Sequence, residues 1–209
     1  MNPKIEQDLI EQGYYVSERW KISSVLGFIR QELSNKGAWL LGFQALLFIL
    51  VGLGLYMGYR DISGGAKWFS EMAIPFSLGL LAMLLVVVPH ELLHGIAYRW
   101  TGAKKVIYGA DWKRMVFHAS APYHPINYKQ MLLVALTPFV VLTSLLLIGL
   151  VLTTGPYWWF FFGLLLMHTQ GCFGDFAMVN FFARQARPER WITFDDSKEE
   201  TFVLLTKEF

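Results

Sequence analysis

The sequence is short of charge. Asp, Glu, Lys and Arg make up 16% of its 209 residues, against about 25% in an ordinary soluble domain. Its one cysteine, Cys172, excludes an intrachain disulfide and says little about redox compartment. A net charge of +2 is too small for the electrostatic footprint of a nucleic-acid binder, so no nucleic-acid partner is expected. The first 36 residues carry charges throughout and lack a basic start followed by an apolar core, so no cleavable signal peptide is expected. There is no internal repeat and no low-complexity stretch. What the chain has in quantity is apolar surface: 55% of its residues are hydrophobic, much of that in long uncharged runs.

A bilayer core of ~30 Å needs about 20 apolar residues in a helix. Ala38 to Tyr59 and Met72 to Pro89 contain no Asp, Glu, Lys or Arg, and neither does Met131 to Gly174. The last run is about twice the length of one span, and Thr153-Thr154-Gly155-Pro156 is the natural place to turn. The expected fold is therefore an all-α polytopic membrane protein. Its four transmembrane helices, at about 38–59, 72–98, 131–153 and 157–182, form a core over 37–183. Residues 1–36 form an amphipathic N-terminal segment and 184–209 a tail. Of the 18 Lys and Arg residues, all but Arg60 and Lys67 lie in the N-terminal segment, the loop from Arg99 to Lys129, or the tail. By the positive-inside rule both termini and that loop are cytoplasmic.

A small cytoplasmic β element is expected alongside the helices. Val106 to Tyr108 and Met115 to Phe117 are β-prone runs, with Gly109-Ala110-Asp111 between them as a turn. Trp191 to Phe194 and Phe202 to Leu205 repeat the pattern in the tail. The N-terminal segment reads as one or two helices on the membrane surface, with Ile5, Leu9, Ile10, Val25, Phe28, Ile29 and Leu33 as the apolar face.

Chemistry enters at His90-Glu91-Leu92-Leu93-His94. HExxH on a helix puts two imidazoles on one face, and the glutamate beside them can serve as general base for a metal-bound water. A catalytic zinc usually takes a third protein ligand. Within the expected spans the only other Asp, Glu, Lys or Arg is Asp175. An ionisable group at such depth is costly and marks a functional site. His94 precedes Arg99 by five residues and Asp175 precedes Arg184 by nine, which sets His94 ~7 Å and Asp175 ~14 Å into the membrane, with His90 also at ~14 Å. His90, His94 and Asp175 are thus the expected metal ligands and Glu91 the expected catalytic base. Gly171 and Gly174 would let the second and fourth spans approach closely. His168 reads as a hydrogen-bonded interior histidine and Cys172 as a packing residue. His124 reads as a surface residue, and His118 as a surface residue within reach of the site mouth. Pro89 is expected to kink or break its helix, and Pro138 could do the same; the functional reading is a water-accessible cavity at the site, the alternative a kink with no role.

These motifs carry a resemblance. His90 to Gly95 (HELLHG) in one span, Gly174-Asp175 in a later one and Ala135-Leu136-Thr137-Pro138-Phe139 between them resemble the DUF3267 zincin peptidase family. His118-Ala119-Ser120-Ala121-Pro122, Pro125-Ile126 and Lys129-Gln130 fit the same pattern. More distantly the layout is similar to site-2 proteases, the M50-like intramembrane zinc metalloproteases. The resemblance implies one Zn2+ on His90, His94 and Asp175, with Glu91 as base. It departs from site-2 proteases at Gly174-Asp175-Phe176, where those enzymes carry Leu-Asp-Gly after an asparagine–proline motif.

The expected activity is zinc-dependent hydrolysis of peptide bonds in membrane or membrane-proximal proteins. The expected partners are a membrane-protein or peptide substrate and the lipid bilayer, in a prokaryotic cell membrane; the oligomeric state is not legible. The alternative is a non-catalytic membrane protein that holds a structural metal or polar cluster and acts in assembly. A di-iron oxygenase needs more imidazoles than the 5 present, and a transporter is disfavoured by the missing repeat.

Overall fold

Long uncharged runs become helices because a helix satisfies its backbone groups within the segment, which an apolar medium requires. A computed structural model describes residues 4–21, 25–35, 37–112, 116–185, 187, 190–196 and 201–207. Among them, three helices are long and apolar enough to cross a membrane: Ala38–Ser63, Trp68–Trp100 and Tyr128–Leu152. The first is α3. The second joins one π-helical turn, Trp68–Ala73, to α4, Ile74–Trp100. It runs unbroken through Pro89, which excludes a break there and leaves the kink of the two expectations. The third is α5, which also continues through its proline, Pro138.

The expected fourth span, 157–182, is divided. Helix α6 covers Gly155–Gly171 and α7 covers Phe173–Ala183, with Cys172 between them. Helix α6 alone has 17 residues, about 26 Å, which is short of a bilayer core. The turn into α6 falls where expected. Gly155 has φ +58°, a conformation glycine adopts at no steric cost, and Pro156 sits in the first helical turn.

The tightest helix contact is not at Gly171, where an added Cβ would meet only the mobile end of Met83 at 3.1 Å. It lies between α4 and α6. A Cβ on Gly79 would run into the Phe160 carbonyl, and one on Gly163 into the Phe76 carbonyl. Backbone against backbone leaves nothing to give, so these two glycines set the approach of the helix that carries His90 and His94.

Two sheets cap the end where α4 and α7 finish and α3 and α5 begin. The N-terminal segment contains a strand that its charge pattern concealed. Helix α1 (Lys4–Glu11) is followed by β1 (Tyr14–Lys21), and only then by a second helix, α2 (Val25–Leu33). Of the expected apolar face, Leu9 is buried but Ile10 is exposed, and the side chains of Val25, Ile29 and Leu33 lie outside the described residues. Helix α2 is fastened to α7. The buried Glu32 carboxylate accepts from Arg184 at 2.8 Å and from Asn180 at 3.2 Å.

The loop forms a hairpin of β2 (Ile107–Asp111) and β3 (Val116–Ser120). Gly109 to Asp111 is strand, not turn, and residues 113–115, with Met115 of the expected second run, lie outside the described residues. The tail strands β5 (Trp191–Asp196) and β6 (Thr201–Lys207) join β1 and the short β4 (Ile126–Asn127) in the order β1-β6-β5-β4, all antiparallel. The β element is thus two sheets, one built from N-terminus, loop and tail together. Strand β4 runs straight into α5, whose start is set by a capping box between Asn127 and Gln130.

One carboxylate is buried in this junction. Asp195 of β5 is 4% exposed, and its Oδ1 has no hydrogen-bond partner among the described residues. Burial pushes its carboxyl up to about 7, against hydrogen bonds donated by the Ser120 hydroxyl and the Ala121 amide. A carboxyl raised in the folded state contributes stability below its ordinary pKa of 3.8 and loses it as pH rises through about 7. Asp195→Asn is therefore expected to flatten this pH dependence and to raise Tm by several degrees at pH 8. Thermal unfolding at pH 5 and pH 8 checks it; equal slopes for both proteins would refute it.

Candidate metal centre

His90 and His94 are one turn apart on α4, so both rings project from the same face. Both are buried. Their Nε2 atoms approach to 3.1 Å. Asp175, in the first turn of α7, completes the group: Oδ2 lies 3.4 Å from His90 Nε2 and Oδ1 lies 3.3 Å from His94 Nε2. Its side chain keeps 19% of its surface exposed. The break at Cys172 starts a new helix three residues before Asp175, and a carboxylate in a first turn is favoured by the helix dipole. A fourth span continuous through Cys172 was expected, but the carboxylate still meets the two imidazoles.

The spacing tests whether a metal fits. Two ligand atoms about 2.0–2.1 Å from one tetrahedral ion lie roughly 3.3 Å apart. The three donor–donor distances, 3.1, 3.3 and 3.4 Å, match that separation. The donor chemistry, two imidazoles and a carboxylate, is that of catalytic zinc sites with an open fourth position. His94 is also held in the right tautomer: its Nδ1–H donates to the Val134 carbonyl of α5 at 2.8 Å, leaving Nε2 as a lone pair. His90 has no such support, since its Nδ1 is buried without a partner among the described residues.

Glu91 is half-buried beside the two histidines, and its Oε2 has no hydrogen-bond partner among the described residues. His118 of β3 is half-buried rather than fully at the surface. His124 is outside this group. It bonds Thr101 at 3.0 Å, and burial lowers its imidazole pKa.

His168 is fully buried, with its ring 5.8 Å from that of His90 and its Nε2 3.8 Å from Cys172 Sγ. His90, His168 and Cys172 therefore form a second group at metal-ligand spacing that shares a histidine with the first. Its three donors include no carboxylate, which sets it apart from the first group. Cys172 is also a packing residue, buried with Leu40, Phe43 and Phe176. A cavity of about 490 Å³ lined by Arg60, Asp61, Glu71 and Trp159 lies at the other end of the bundle, away from all these groups.

Sequence reasoning missed the Val134 carbonyl, because a backbone acceptor leaves no residue-type signal. It also missed how close His168 comes to His90, since these lie on different helices.

A family model described as "DUF3267: Putative zincin peptidase" matches residues 83–188, just over half of the chain. The matched stretch contains His90, Glu91, His94, His118 and Asp175, and leaves out α3, β1 and the tail strands. Comparison with curated proteins found no match, and neither did comparison with solved structures.

Proposed function

This chain belongs to the DUF3267 family, and we propose that it is a membrane-embedded zinc peptidase. Its substrates would be membrane or membrane-proximal proteins. One observation carries the reading: His90, His94 and Asp175 converge at 3.1–3.4 Å beside a buried, unpartnered Glu91 oxygen. His90 Nε2, His94 Nε2 and the Asp175 carboxylate would hold the ion. A bound Zn2+ lowers the pKa of its water towards ~7 and polarises a carbonyl oxygen. Glu91 takes the proton from the attacking water and returns it to the leaving amine. Val134 keeps His94 in the tautomer that binds, and Asp175 neutralises charge in a region where an unpaired ion is costly. His118 stands at the mouth, where a peptide enters.

The membrane topology belongs to the same proposal. Helices α6 and α7 together make the fourth crossing, and the sheet end, with both termini, faces the cytoplasm. The concentration of basic residues at that end supports it.

Metal analysis of purified protein tests the proposal. About one zinc per chain is expected after exhaustive washing; a chain that copurifies with no zinc and binds none on titration would sink the reading.

A further inference from the structure

Pro138 lies in the interior of α5, fully buried, four residues after Val134. In a helix the amide of residue i bonds the carbonyl of residue i−4, so an ordinary residue 138 would bond Val134 O. Proline has no N–H, and its ring presses against the carbonyl of residue i−4 and tilts it off the helix axis. The Val134 carbonyl is the one that accepts from His94 Nδ1 at 2.8 Å. Beside it, the Thr137 hydroxyl donates back to the Leu133 carbonyl at 2.6 Å, a bond that also bends helices. Two features that tend to bend a helix thus fall on neighbouring positions of α5, on the turn whose Val134 carbonyl meets His94.

We propose that Pro138 is a positioning residue: by withholding its amide from Val134 it frees and aims the carbonyl that orients His94. This rests on the zinc reading and extends it to a residue that touches no ligand atom. It also accounts for a proline in a long apolar helix that does not break there. The interruption is one hydrogen bond wide, and that bond is redirected to a side chain.

Pro138→Ala restores the amide. The helix gains a regular bond, so folding is not expected to suffer, while His94 loses its partner. Zinc affinity, measured by competition with a chromophoric chelator, is expected to fall roughly 10–100-fold, the usual effect of removing a partner that orients a metal-binding histidine. A second variant separates the missing amide from ring shape. Pro138→lactic acid, introduced as a backbone ester, also lacks the N–H and is expected to bind zinc within about threefold of wild type. In the metal-free state, 15N spectra of the histidine rings are expected to show the His94 Nδ1–H hydrogen bond in wild type and ester and its loss in Pro138→Ala. Equal affinity and ring spectra in wild type and Pro138→Ala overturn the inference while leaving the zinc reading intact. Loss in both variants overturns it too, because ring shape rather than the amide would then be the cause. A wild type that binds no zinc overturns both.

Discussion

Glu91→Gln is expected to abolish hydrolysis while leaving zinc bound. The substitution keeps size and shape and removes the carboxylate that takes the proton, while the Asp175 carboxylate remains as a ligand. A positioned general base contributes about 10²–10⁴-fold to rate, so the variant is expected to lose at least 100-fold. Metal content stays near wild type because none of the three converging donor atoms is touched. The pairing of outcomes matters. A chain that holds its ion only for structure would show no change in either quantity. Cleavage of a membrane-protein substrate in detergent or proteoliposomes, read beside metal analysis of the same samples, decides it. Residual activity above about a tenth of wild type would remove Glu91 from the mechanism.

Asp175→Ala has the larger effect on the metal. Two imidazoles remain, with no carboxylate among the converging donors to balance the charge of a divalent ion in an apolar bundle. Losing a partner that merely orients a ligand weakens binding roughly 10–100-fold, and losing a ligand is expected to exceed that. Zinc content after dialysis is expected to drop to a small fraction of an equivalent, with activity lost in parallel. Asp175→Asn retains an oxygen donor but not the charge, and is expected to fall between. Full occupancy in Asp175→Ala would mean that the ion sits elsewhere, and His90, His168 and Cys172 are the group at metal spacing to test next.

Much of the site was legible in the chain because residue type carried it. An imidazole pair at i and i+4 declares its own geometry, and one carboxylate in an uncharged run has few roles. Counting from Arg99 and Arg184 brought Asp175 and the histidines to similar depth, and they meet at 3.3–3.4 Å. The same reasoning failed at the N-terminus. Tyr14 to Lys21 carries Glu18, Arg19 and Lys21, and its strand forms by pairing with β6, some 180 residues later. No local pattern announces a partner so remote. The break at Cys172 was hidden too, because Gly171, Cys172 and Phe173 read as ordinary apolar helix.

The sequence by itself determined three apolar helices and the kinds of donor atoms available to a metal. These follow from composition and helical period, which are properties of segments. Only the tertiary structure decided which donors converge, that the π-helical turn and α4 join into one long helix, and that backbone contacts at Gly79 and Gly163 bring α4 against α6. It also decided that a carbonyl freed at Val134 meets His94. Those outcomes depend on packing between segments far apart in the chain. There the deciding groups are backbone atoms and missing side chains, which no single-residue signal encodes.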